Sequence, residues 1–355
     1  KRPMNTLSTF AANMEFPIIN KGDTLQFILV YGMYEEADNE YMEDSFTADV
    51  TILAKQYTYE KDGFGSSDYD EKAVYPVTTA EQAKDAIANA DNGDTILFSN
   101  NMTVDDATVF QINSKELTFD LNGNKVQYDN PQGTGNLVQV INGAKLTLEN
   151  GTINMNNPYY GLTVRDDSTL ILNGIKLTSG DGGIFSHGKN TTVEIDNCEL
   201  STEYYAVYHN GSYAPANITI RNNTRILKGG VYVSNSSGRE LQTLTIENSV
   251  IYGETAVEIK HTNATITDST LVGTTTPTGS GANGNGGCTE GYSLAVTTNG
   301  VDDKATGTVK VTGCKFYNKD VTGEPNGYYF VYKLADGASV TIDGKKVNNF
   351  NSYGE

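Results

Sequence analysis

The sequence predicts an all-β solenoid of stacked parallel coils. Three observations carry that expectation: one strand-and-turn unit recurs along the chain, each unit alternates apolar and polar residues with period two, and Asn, Gly or Asp marks each turn. The unit is clearest in Leu244-Thr245-Ile246-Glu247-Asn248-Ser249-Val250-Ile251 and again in Ala264-Thr265-Ile266-Thr267-Asp268-Ser269-Thr270-Leu271. In both, a small turn-former follows the strand and an aliphatic side chain returns three residues later. The same pairing recurs at Gly123 with Val126, Asn150 with Ile153, Gly174 with Leu177, Asn197 with Leu200, Asn223 with Ile226, Asn248 with Ile251, Asp268 with Leu271, Gly313 with Phe316 and Gly344 with Val347. Successive turns lie 20 to 31 residues apart, with a single interval of 45. Each unit holds a second alternating run upstream, at Val138–Val140, Leu162–Val164, Val231–Val233 and Val257–Ile259, so each lap is read as about three short strands around an apolar centre. About nine coils are expected.

Asn and Gly suit these turns because a sharp corner needs a left-handed backbone, which they adopt at least cost. Corners stacked at strand spacing, about 4.8 Å, would let Asn150, Asn197, Asn223 and Asn248 form an amide ladder where coils adjoin. On these motifs the chain, over roughly residues 76 to 350, resembles the right-handed parallel β-helix proteins of the pectate-lyase-like group. The resemblance implies the fold. It selects no function, since lyases, hydrolases, phage tail proteins and adhesins share that scaffold.

Residues 1–72 lack the repeat. The runs Leu25–Val30 and Ala48–Leu53 alternate as strands, with the acidic stretch Glu35–Asp44 between them, so a small β-rich, sandwich-like domain or fragment is expected there. With Lys1-Arg2-Pro3 ahead of these strands, the segment resembles the fimbrillin-like surface domains of gut Bacteroidetes. Gly63-Phe64-Gly65-Ser66-Ser67-Asp68 reads as a linker. In the β-helix region, residues 73–355, a helix is expected over 79–90. Thr79 and Gln82 are placed as a capping box, while Ala83, Ala86, Ile87 and Ala90 share one face that would cover the open first coil. The Gly/Thr-rich stretch 274–290 accounts for the long interval as an outward loop insertion.

Composition narrows the partners. The 355 residues carry 25 Lys and Arg against 44 Asp and Glu, a net charge of −19, which argues against nucleic acid and other polyanions held by bulk charge. No apolar run is long enough to span a membrane. Cys198, Cys288 and Cys314 form neither an even disulfide framework nor a metal spacing, and only a Cys288–Cys314 bridge is worth weighing. No cofactor is called for. The sequence starts at Lys1 without a recognisable leader, which leaves room for one upstream, and its low Lys with abundant Tyr, Asn, Thr and Gly suggests an exported bacterial protein at the cell surface, outer-membrane-anchored or extracellular.

Alternation also assigns outward positions on the upstream strand. If Leu162 and Val164 face inward, Arg165, Phe185, His187, Tyr208, Asn210, Tyr232, Glu258 and Lys260 face outward, as an aromatic column bordered by polar groups. Such a surface suits sugar rings, whose C–H faces pack on π systems. The competing account is that these rings only stabilise the parallel ladder by stacking. Tyr159-Tyr160 and Tyr204-Tyr205 lie at the ends of the same strands.

An enzymatic alternative has a concrete form. Asp166-Asp167, Ser186-His187-Gly188 and Ile259-Lys260 occur in the order of polygalacturonase-type hydrolase motifs, and the resemblance would make Asp166, Asp167 and His187 catalytic. The departures are several: no Asn-Thr-Asp lies one coil before Asp166, Ser186 stands for a Gly, Glu258 for an Arg, and Lys260 lies about three coils from His187. A lyase would use Arg165 and Lys260, which the repeat count separates by about four coils. A calcium site from Asp166, Asp167 and Asp181 lacks a fixed-spacing loop, so no metal is assigned. Of the histidines, His209 faces inward by phase and His261 falls in a turn.

The sequence thus points to a secreted or cell-surface carbohydrate-binding or adhesion protein without catalysis. A polysaccharide-degrading enzyme, hydrolase ahead of lyase, and a structural stalk with protein partners at the cell surface are the alternatives.

Overall fold

The computed structural model describes residues 72–352, apart from 106–108, 131–134, 157–158, 212–214, 236–239, 278–289, 298–306, 320–322, 332–337 and 348–350. The domain expected over 1–72, most of the 274–290 insertion, and Cys288 lie outside the described residues.

The described chain is a parallel β-solenoid whose laps run over three faces. The lap at Thr191–Asp196, Glu199–Thr202 and Val207–Gly211 is representative, with a corner at each junction. The first two faces belong to one 19-stranded sheet, because Lys145–Asn156 and Thr169–Ser179 continue around the corner between them. The third face is a separate ladder of ten strands, parallel throughout except where Asn351–Ser352 pairs antiparallel with Tyr328–Val331. The sequence expectation is about nine coils; the described residues form about eight turns, with nine parallel strands in this ladder.

All nine predicted turn residues have left-handed backbone, with φ from 43° at Asn248 to 76° at Gly123 and Gly344. The residue three places later is buried in every case, from Val126 to Val347. This is the physical content of the repeat: a left-handed corner turns the chain by a fixed amount and returns the next aliphatic side chain to the centre. The amide ladder is shorter than expected. Asn248 Nδ2 donates to Asn223 Oδ1 at 3.1 Å, but Asn150 Nδ2 donates to Asp120 at 3.3 Å, and Gly174, at the corner between Asn150 and Asn197, has no amide to continue it.

Among the described residues one helix, Ala80–Asn89, precedes the stacked coils, with Thr79 as N-cap accepting from the Gln82 backbone N–H at 3.2 Å. Gln82 Oε1 closes back onto Thr78 N–H (2.8 Å) instead of Thr79, so the capping box is displaced by one residue. Ala83, Ala86 and Ile87 join the same core cluster as Phe98, Phe110 and Phe119, and that cluster continues to Val347. Lys115 Nζ bonds the Ile87, Ala88 and Ala90 carbonyls at 2.8–2.9 Å, supplying from a neighbouring coil the cation that the last helical turn lacks.

Candidate functional site

The third ladder aligns Leu162, Ile184, Val207, Val231 and Val257 in register, so residues at equal offsets from them form columns along the solenoid. These five are fully buried and fix the phase of the outer side. The outward set one residue on is Thr163, Phe185, Tyr208, Tyr232 and Glu258, and the set three residues on is Arg165, His187, Asn210, Ser234 and Lys260. Directions follow the sequence expectation, whereas exposure does not. Arg165 is exposed; Phe185, His187, Tyr208 and Asn210 are half-buried; Tyr232, Ser234, Glu258 and Lys260 are enclosed. The outer side of this ladder is therefore open over the coils of Arg165 to Asn210 and closed from Tyr232 onward.

The closed portion corrects the expectation that Tyr232, Glu258 and Lys260 present themselves to solvent. Glu258 and Lys260, both 0% exposed, form an ion pair at 3.3 Å, with Lys260 Nζ 5.4 Å from the Tyr232 ring centre. Strand alternation says which side of a sheet a residue occupies and is silent on what covers that side.

The open portion is a continuous aromatic stack. Along the ladder, His187 stacks on Phe185 (4.8 Å between centroids), Phe185 meets Tyr208 at 5.6 Å, and Tyr208 stacks on Tyr232 at 4.9 Å. A second layer comes from the preceding corner: Tyr160 stacks on Phe185 (5.3 Å) and Tyr208 (5.4 Å), and Tyr205 stacks on Tyr208 (5.5 Å). Tyr159 and Tyr204 stand edge-on to that layer at 5.2 and 4.9 Å from their chain neighbours, and are 46% and 47% exposed. Glycine makes room for this arrangement. A Cβ on Gly182 would overlap the Tyr160 ring, and one on Gly229 would overlap Thr202 and the Tyr204 carbonyl.

Polar groups border the rings. The His187 imidazole is held below its ordinary range by burial and by Arg165 on the neighbouring rung, partly offset by Asp166. Asn210 donates to Tyr208 Oη at 2.9 Å, and its Oδ1 is buried without a hydrogen-bond partner among the described residues, as are Thr163 Oγ1 and Tyr160 Oη. Burial first, then the neighbouring Tyr204, Tyr208, Asp181 and Tyr159, push the Tyr160 phenol well above the usual range, so this hydroxyl stays protonated.

The residues of the enzymatic alternative occupy the edge of the same face. Asp166 and Asp167 form a left-handed turn (φ 48° and 60°) with half-exposed side chains. Asp166 pairs with Arg165 at 3.9 Å; Asp167 pairs with Lys189 at 3.6 Å and accepts from Asn190 at 2.7 Å. Lys260, the lyase candidate, is enclosed. His209 lies inside as its phase requires, its Nδ1 2.9 Å from Ser186 Oγ. Cys198 and Cys314 are buried free thiols pushed by burial up to about 11. Among the described residues no three His, Cys, Asp or Glu side chains converge as metal ligands, Asp166, Asp167 and Asp181 included.

Sequence reasoning missed the alternation Tyr160, Gly182, Tyr205, Gly229 at one corner and the place of Asp181 between Tyr159 and Tyr204. Both were readable by counting back from Leu162, Ile184, Val207 and Val231.

By fold the protein is a parallel β-solenoid bearing an aromatic outer face. No family model matches the chain, and no curated protein matches it. Among solved structures, the alginate lyase from Paenibacillus sp. str. FPU-7 is similar at 12% identity and a TM-score of 0.24, over 74% of this chain and 99% of that one. A likeness of that size carries no argument about activity.

Proposed function

We propose that this chain is an exported, non-catalytic carbohydrate-binding or adhesion protein, a right-handed solenoid following a small β-rich domain over residues 1–72. Its glycan docks on the open corner around Tyr159, Tyr204, Phe185 and Tyr208, with Arg165, His187 and Asn210 at the border. One observation carries the reading: two tyrosines remain nearly half exposed although a stack of rings beneath them offers burial. Ladder stacking alone accounts for Tyr208 and Tyr232 and leaves the outer pair unexplained.

Catalysis by Asp166, Asp167 and His187 finds less support. An inverting hydrolase sets one carboxyl in an apolar or like-charged enclosure, whereas both aspartates stand about half exposed in a turn, each beside a cation.

Each outer tyrosine exposes roughly 100 Å², whose cover by a sugar ring is worth at most about 2.5 kcal/mol. Tyr159→Ala or Tyr204→Ala is therefore expected to weaken retention on a polysaccharide by on the order of tenfold. The deciding experiment records retention and reducing-end release together on plant, algal, bacterial and host polymers. Retention without release supports the proposal, whereas release abolished by Asp167→Ala and His187→Ala would make the protein a glycosidase.

A further inference from the structure

The open corner has a second level of organisation. Tyr159, Asp181 and Tyr204 each lie three residues before the aligned Leu162, Ile184 and Val207, so they occupy one column on three successive coils. The backbone agrees: Tyr204 N–H donates to the Asp181 carbonyl at 3.0 Å. At about 4.8 Å per rung, the two exposed rings stand roughly 10 Å apart along the axis with a carboxylate between them.

The charges around this column are unequal in availability. Arg165, Lys189 and Lys228 are already paired, with Asp166 (3.9 Å), Asp167 (3.6 Å) and Glu203 (2.5 Å). Asp181 accepts from its neighbour Gly182 N–H through Oδ1 at 2.7 Å, and its Oδ2 has no hydrogen-bond partner among the described residues. The local balance is thus negative, in a chain of net charge −19. Beneath the column lies Tyr160, only 3% exposed, its ring 5.2 Å from that of Tyr159 and 6.2 Å from that of Tyr204, and its hydroxyl has no hydrogen-bond partner among the described residues. A buried donor left unpaired is a standing cost that an incoming acceptor relieves.

Building on the glycan-binding reading above, we infer that the corner takes a neutral polysaccharide laid parallel to the solenoid axis. Its sugar rings rest on Tyr159 and Tyr204, its intervening hydroxyls bond the Asp181 carboxylate and the Tyr160 hydroxyl, and polymers bearing carboxylate or sulfate are repelled. Asp181 is the specificity-determining residue. A neutral sugar offers hydroxyl donors to the free carboxylate oxygen, while a uronate or sulfate brings like charge to a place with no unpaired cation among the described residues nearby.

The test uses the full chain in affinity electrophoresis at low salt, with galactomannan, arabinoxylan and mixed-linkage β-glucan set against polygalacturonate, alginate and dextran sulfate. The expected result is retention by at least one neutral polymer and by no anionic one. Tyr160→Phe, which removes only the orphan hydroxyl, should weaken that retention about fivefold with an unchanged melting curve. Asp181→Asn keeps the acceptor for Gly182 and deletes the charge, so it should narrow the discrimination against the anionic polymers by roughly fivefold. Tyr159→Ala and Tyr204→Ala should show coupled losses only on oligosaccharides long enough to reach both rings. Preferred retention on an anionic polymer would overturn the inference and leave glycan binding standing. Neutral retention indifferent to Asp181, Tyr160 and both tyrosines would place the site elsewhere and overturn both readings, and retention by no polymer would sink glycan binding itself.

Discussion

Replacing Lys260 by methionine preserves the length and apolar stem of the side chain and removes the ammonium. Glu258 is then left at 0% exposure without the cation that sits 3.3 Å from its Oε1. At an effective dielectric of about 20, the attraction across that distance is about 5 kcal/mol. It offsets a desolvation penalty of several kcal/mol for each ion, so the intact pair is close to neutral and the broken pair is not. The expected cost of Lys260→Met is about 3–5 kcal/mol. Loss of the contact with the Tyr232 ring, 5.4 Å away, adds up to about 2 kcal/mol for a desolvated cation. The double variant Glu258→Gln/Lys260→Met should recover most of the loss. Because stacked repeats depart from all-or-none unfolding, the appropriate readout is amide exchange of strands Val231–Asn235 and Val257–Lys260. Protection of these amides within about 1 kcal/mol of the parent in the single variant would refute the reasoning, because it would mean that water reaches the pair in solution.

Two further outcomes follow from the same coils. Burial holds the His209 imidazole at about 3, against an ordinary value near 6.5, with the Ser186 hydrogen bond only partly opposing it. The unfolded chain therefore takes up a proton that the native state refuses, so stability that is intact above pH 6.5 is lost as pH falls toward 3, by about 1.4 kcal/mol per unit. Denaturant midpoints compared at pH 7 and pH 4.5 should show this slope in the parent and a shallower one in His209→Gln; equal slopes would mean that the imidazole is hydrated. Gly182→Ala drives a methyl group into the Tyr160 ring and should cost about 1–3 kcal/mol. In the same variant, retention on any bound polysaccharide should fall, since the layer under Tyr159 and Tyr204 is displaced; undiminished retention would detach binding from this corner.

The backbone of this fold was legible because its rule is local. A left-handed corner is a property of one residue, and Asn248 or Gly174 announces it without reference to anything distant. Inward phase was equally legible, as Ile184 and Val207 show, because alternation is also local. Exposure is not. Tyr208 and Tyr232 sit at the same ladder position one coil apart, yet one is half-buried and the other enclosed, and nothing in either strand distinguishes them. Glu258 and Lys260 misled for a related reason: two opposite charges on one strand face read as solvated, although an ion pair is also the form in which charge tolerates burial. The corner tyrosines were visible as residues, but their relation to Gly182 and Asp181 required the register between coils.

The tyrosine and glycine alternation at that corner gives the surface a step size. A ring such as Tyr160 lies across the place where a side chain of the following coil would begin, so that coil must contribute Gly182, and the next tyrosine pair appears only on the coil after. A tyrosine introduced alone would meet a neighbour already in its place. Lengthening the aromatic surface therefore means duplicating two coils together, about 45 residues of chain from Tyr159 to Tyr204, so the surface grows by whole two-coil blocks and by nothing smaller.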